Sequence, residues 1–98
     1  MIKDKLPNGL IYYKTTTIEI RLIGGLGICD DCGQYRPDGG YLVPVLNHWQ
    51  CKSCFEDWRS RCRHYSEDDD YEEQVCRMYE RLLPFTESLN MKSPQQRR

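Results

Sequence analysis

The residues of this chain whose spacing carries chemistry are two CxxC pairs, Cys29-Asp30-Asp31-Cys32-Gly33 and Cys51-Lys52-Ser53-Cys54, with 18 residues between them. Two residues between thiolates let one tight turn present both sulfurs to a single ion, and a spacer of this length suits a four-thiolate zinc site. A glycine directly after the second cysteine allows that turn a positive φ while backbone amides point at the sulfurs, and Gly33 stands there. Four thiolates close a tetrahedron and leave no open coordination position. The expected site is therefore structural, one zinc per chain held by Cys29, Cys32, Cys51 and Cys54, with its binding free energy spent on folding.

Other uses of the cysteines fit less well. Disulfides are disfavoured in a reducing compartment, and dithiol redox chemistry needs one CxxC on a βαβ scaffold. A rubredoxin-like iron site would want a glycine-bearing turn on both halves, whereas Phe55 follows the second pair. His48, three residues before Cys51, is a conceivable replacement ligand but reads better as a hairpin-end histidine beside Trp49. Cys62, Cys76 and His64 invite a second metal site; Cys62 and Cys76 instead fall on apolar stripes and are expected as buried thiols at a helix–helix contact.

A chain of 98 residues with 39% hydrophobic and 30% charged residues and a mean hydropathy of −0.77 is one small domain whose core needs a staple. Fourteen Lys and Arg against fifteen Asp and Glu give a net charge of −1, which four thiolates and a divalent ion would lower further. That balance disfavours non-specific nucleic-acid binding. No apolar run approaches the roughly 20 residues of a membrane span, and MIKDKLPNGL lacks the apolar centre of a signal peptide, so a cytoplasmic location without membrane contact is expected.

The elements that must position these cysteines follow from pattern and punctuation. Pro7-Asn8-Gly9 reads as a turn. Thr17–Ile23 alternates Ile18, Ile20 and Leu22 with Glu19 and Arg21, the signature of a half-buried strand, with Leu10–Lys14 as its hairpin partner or its continuation. Arg36-Pro37-Asp38-Gly39-Gly40 reads as a hairpin tip leading into a strand over Tyr41–Leu46, which Pro44 would confine to a sheet edge. From Cys51 the period becomes helical: Phe55, Trp58, Cys62 and Tyr65 form one stripe on a helix of about 14 residues. A second helix runs from about Asp69 to Leu83, capped by Ser66 or Asp68 and ended by Pro84, with Tyr71, Val75, Met78, Tyr79 and Leu82 as its inner face. The chain thus divides into an N-terminal strand segment (1–26), a zinc module (27–65), a C-terminal helix packed on it (66–89) and a tail (90–98) with nothing to bury, expected to be disordered.

The turn with its glycine at 29–33, the hairpin at 34–46 and the second cysteine pair opening a helix at 51–65 resemble the treble-clef zinc finger of LIM-type and related modules. The resemblance implies a small α+β fold in which Cys29 and Cys32 come from a zinc knuckle and Cys51 and Cys54 from the first turn of the helix. A zinc ribbon would place its second pair on another hairpin, against Phe55-Glu56-Asp57-Trp58. The segment Tyr41–Trp49 is similar to short uncharacterised proteins of bacterial phages and mobile elements.

Three functional classes compete. Nucleases of the His-metal type occur among treble clefs, but the helix that should offer ligands offers Phe55, Trp58 and Cys62, so no enzyme is expected. A nucleic-acid-binding finger would use Lys52, Arg59, Arg61 and Arg63. The favoured expectation is a protein-interaction module. Glu67-Asp68-Asp69-Asp70-Tyr71-Glu72-Glu73 holds six carboxylates in seven residues, more than a helix start needs. Asp68, Asp69, Asp70, Glu72 and Glu73, with Trp49 nearby as an aromatic contact, would meet a basic surface on a host or cellular protein. A nucleic-acid-handling enzyme, held or inhibited by such a small adaptor, is the partner this suggests.

Overall fold

The computed structural model describes residues 1–89; the tail from 90 to 98 lies outside the described residues. The chain begins with β1 (Ile2–Lys5) and β2 (Ile11–Thr15), paired antiparallel with Ile2 opposite Lys14 and Lys5 opposite Ile11. Pro7-Asn8-Gly9 makes the turn between them, with Gly9 at φ 98° and its N–H donating to the Leu6 carbonyl at 2.9 Å. The expected turn is therefore present, and the hairpin partner of the Leu10 segment lies upstream of it.

The expected strand over Thr17–Ile23 is a correction: Thr17–Leu22 is a helix, α1. Thr16 caps it, its hydroxyl accepting from Glu19 N–H at 3.1 Å while the Glu19 carboxylate accepts from Thr16 N–H at 2.9 Å. At the other end Gly25 N–H donates to Ile20 O and Gly24 N–H to Arg21 O, a Schellman closure. Alternation misled because only one of the three aliphatic residues is buried: Ile20 is 3% exposed, Ile18 and Leu22 73% each.

The chain next passes through the first cysteine pair, where Ile28 bridges Tyr35, and enters β3 (Gly40–Val43) and β4 (His48–Gln50). Gly39-Gly40 is a corner rather than a hairpin tip. A Cβ on Gly39 would lie 2.6 Å from Thr15 O and one on Gly40 2.5 Å from Gln50 O, so glycine is required by the close approach of the strands on both sides. The hairpin closes instead through Pro44–Asn47, with Asn47 at φ 53°. Pro44 falls just beyond β3, and β3 is an interior strand of the five-stranded sheet, whose order is β4-β3-β2-β1-β5.

The second cysteine pair opens α2 (Lys52–Arg59), shorter than expected. The Ser60 hydroxyl donates to Asp57 O at 2.7 Å and Arg61 N–H to Trp58 O at 3.1 Å, which tightens and ends the last turn; Tyr65 is exposed. A 3-10 turn (Ser66–Asp68) leads into α3 (Asp69–Leu82), after which Pro84 precedes β5 (Thr86–Glu87), a short parallel neighbour of β1. The inner face of α3 is rotated from the expected one. Glu72, Val75, Cys76 and Tyr79 are buried, while Tyr71 and Leu82 are exposed. A buried carboxylate needs a donor, and Ile11 N–H at the start of β2 supplies it at 2.9 Å.

α2 covers one face of the sheet, and α1 and α3 the other. Tyr13, Leu42 and Trp49 point to one face and pack with Ile20, Val75, Cys76 and Tyr79. Val43 points to the other, with Leu6, Leu10, Phe55 and Trp58, and Tyr41 stacks on Phe55 at 4.2 Å between ring centroids. Cys62 and Cys76 consequently sit in separate clusters rather than at one helix–helix contact.

Candidate metal centre

The cysteine site is assembled from a loop and a helix start. Cys29 N–H donates to Gln34 O at 2.9 Å and Gly33 N–H to Cys29 O at 2.8 Å, with Gly33 at φ 73°, so the chain folds back sharply around Cys32. β4 then delivers Cys51 as the N-cap residue of α2 in extended conformation, and one helical turn later Cys54 stands on the same side. The four sulfurs all lie within 4.8 Å of one another, and Cys32 Sγ is 3.9 Å from Cys51 Sγ. A zinc–sulfur bond of about 2.3 Å demands a tetrahedral edge of about 3.8 Å, so the sulfurs surround a space of the right size.

The surroundings suit thiolates. Backbone N–H groups of Asp31, Cys32 and Cys51 donate to Cys29 Sγ at 3.4, 3.5 and 3.3 Å, and the Arg36 guanidinium approaches Cys32 Sγ at 3.8 Å. The Gln34 amide, then Arg36, draw the Cys32 thiol down to about 6. Burial, followed by the neighbouring thiols, pushes Cys54 up. Four sulfurs this close cannot all ionise alone; a divalent cation could take the place of their protons. Sulfur-only donors, amide hydrogen bonds and tetrahedral spacing fit one metal ion, with zinc the natural match to the donor set.

The other metal candidates are placed elsewhere. His48 Nδ1 lies 3.2 Å from Asp31 Oδ1, His64 Nε2 lies 2.6 Å from Asp69 Oδ1, Cys62 is contacted by the Asn8 amide, and Cys76 is buried in the α3-side core. Among the described residues, no second group of three or more His, Cys, Asp or Glu side chains comes together as a metal site would require.

The expected partner-binding set is brought together only in part. Trp49 is 4% exposed and its indole N–H donates to Thr15 Oγ1 at 2.8 Å, so its ring is packed in the core and is not displayed beside the acidic residues. Glu72 is buried, whereas Asp69, Asp70 and Glu73 are exposed and Asp68 half-buried. Asp69 is joined to His64 and Glu73 to Arg77 at 2.6 Å. Of the basic set, Lys52, Arg59, Arg61 and Arg63 are all exposed; Arg61 pairs with Asp57 and Arg59 lies over the Phe55 ring.

Residues inside the first CxxC carry a role that spacing alone did not reveal. Asp30 accepts Trp49 N–H at 2.8 Å and donates its own N–H to Trp49 O at 2.9 Å, while Asp31 engages His48 and the Gln50 amide. These two carboxylates tie the cysteine loop to β4. Their position between two thiolates was the available signal, since acids add to negative charge there unless they have donors to meet.

No family model matches the chain, and no curated protein or solved structure matches it either. No helix among the described residues is long and apolar enough to cross a membrane.

Proposed function

We propose that this chain is a non-enzymatic zinc module of the treble-clef kind that binds a protein partner. The observation that carries the reading is the all-sulfur cluster: four cysteine sulfurs within 4.8 Å leave an enclosed ion no position for substrate or water. The sharp turn at Cys29–Gly33, the β3–β4 hairpin and α2 opening on Cys51 support the treble-clef description. The module then acts through its surface.

The surface favoured is the start of α3, where Asp68, Asp70 and Glu73, beside Glu67, present carboxylates to solvent or near it. They suit a basic face on a host or cellular protein, including one that handles nucleic acid, which this chain would serve as a small adaptor or inhibitor of phage or mobile-element type. In a pull-down at two salt concentrations, neutralising Asp68, Asp70 and Glu73 together should weaken capture about tenfold, and salt should weaken the parent likewise, because the Debye length falls from about 10 Å at 0.1 M to about 3 Å at 1 M. Tighter binding on loss of these acids, with sensitivity at Lys52, Arg59, Arg61 and Arg63, would identify a nucleic-acid partner instead. Indifference to both sets would sink both readings of the charged surfaces.

A further inference from the structure

On the α3 side of the sheet, the end of α1 and the last turns of α3 leave an open cleft of about 360 Å³. Trp49 forms part of its floor, Ile23 lines the α1 side, and Met78 and Leu82 line the α3 side. Asp30 and Asn47 add polar side chains to the lining. The volume suits one or two side chains. The apolar wall is not fully covered by the described chain: Leu82 is 55% exposed.

The polar groups of the lining have unused hydrogen-bonding capacity, an acceptor on Asp30 and donors on Asn47. Asp30 Oδ2 accepts Trp49 N–H, which leaves the other carboxylate oxygen. Asn47 Oδ1 accepts the Tyr79 hydroxyl at 2.7 Å, which leaves the amide N–H groups. Asp30 follows Cys29 directly and precedes Asp31, and no Lys or Arg pairs with its carboxylate among the described residues. An apolar slot with a carboxylate in its lining complements an apolar group with a cation one residue away.

We propose that this cleft docks a partner peptide through an aliphatic side chain, set between Ile23, Met78 and Leu82, with an adjacent Lys or Arg paired to Asp30. The proposal rests on the reading of the chain as a protein-interaction module, and it places recognition at a different surface from the acidic start of α3.

The test is an NMR titration of the zinc-loaded protein with three capped tripeptides, Arg-Leu-Arg, Arg-Ala-Arg and Glu-Leu-Glu. Arg-Leu-Arg should shift the Asn47 side-chain amide, the Asp30 and Trp49 backbone amides and the Leu82 methyls, and bind at least tenfold tighter than the other two. Asp30→Asn keeps the acceptor for Trp49 N–H and removes the charge; Leu82→Ser removes apolar wall at an exposed site. Each should weaken Arg-Leu-Arg at least fivefold, and Leu82→Ser should do so with zinc content and Tm unchanged. Equal response to all three peptides, shifts confined to Asp70 and Glu73, or no binding would overturn the proposal, as would concentration-dependent shifts of the cleft residues without peptide, which would mean that a second copy fills it. Loss of partner capture in the α3 charge variants with no peptide in the cleft would defeat this inference and leave the interaction module standing; peptide in the cleft with indifferent charge variants would defeat the acidic-face reading alone.

Discussion

Cys29 is the sulfur on which the local backbone converges, with three amide N–H groups aimed at a residue only 1% exposed. Serine there would offer a harder, more basic ligand to zinc and a shorter reach to those amides. Cys29→Ser and Cys54→Ser are therefore expected to lose stoichiometric zinc, measured by elemental analysis of the purified protein. Cys62→Ala should keep it and cost about 1 kcal/mol in urea, since that half-buried thiol acts mainly as a small hydrophobe. Zinc loss on changing Cys62 would transfer it to the ligand set. His64 gives a second prediction at this scale. Its hydrogen bond to Asp69, with further help from the charges of Asp69 and Glu72 and the backbone of Asn8, raises its pKa above the ordinary histidine value. A raised folded pKa gives stability that is fully present below the unfolded value of about 6.5 and is lost as pH rises through the folded value. The Tm advantage of the parent over His64→Gln should accordingly shrink between pH 6 and pH 8; a difference that grows with pH would contradict the pairing. Burial first of all raises the Glu72 pKa above the usual carboxylate range, so its contribution to stability is likewise lost as pH rises through its folded value.

The elements are decided by which residues find neighbours. In α1 a six-residue helix is too short to persist on propensity, so it depends on its capping box, its Schellman closure and the burial of Ile20 against Tyr13, Leu42 and Trp49. A half-buried strand would make Ile18, Ile20 and Leu22 equivalent; the helix makes them unequal. Ile20→Ala should cost about 2–4 kcal/mol by urea denaturation, and Ile18→Ala and Leu22→Ala within about 0.5 kcal/mol of zero. Three equal costs would restore the strand. Thr16→Ala should cost about 1 kcal/mol through the lost cap.

At the scale of the whole molecule, the cysteine cluster joins the two faces of the sheet. The loop carrying Cys29 and Cys32 is tied by Asp30 to Trp49 on the α3 side, while Cys51 and Cys54 start the helix that supplies Phe55 and Trp58 to the other side. Structural zinc contributes on the order of 10 kcal/mol, comparable with the entire stability of a small domain. Excess chelator should abolish the cooperative melt and shift tryptophan emission to the red, and added zinc should restore both. An unchanged melt in the metal-free protein would show that the two apolar clusters suffice and that the sulfur site is dispensable for folding.

Read alone, the sequence determined the features set by local spacing. The two CxxC pairs, the Pro7-Asn8-Gly9 turn, the helix that begins after Cys51 and the end of α3 before Pro84 depend on contacts a few residues apart, or on a glycine or proline whose backbone limits are intrinsic. The capping spacing of Thr16 and Glu19 is equally local, but the expectation of a strand followed the alternation of Ile18, Ile20 and Leu22 and did not use it. Only tertiary structure decided which side chains of a helix or strand have company. Glu72 turns inward because β2 begins with a free N–H, Trp49 leaves the surface because Thr15 and Asp30 receive it, and Gly39-Gly40 is a corner because β2 and β4 press against it. β5 pairs with β1 across more than 80 residues of chain. Such partners lie far away in sequence, so their hydrogen bonds and close contacts leave no local pattern in the residues that depend on them.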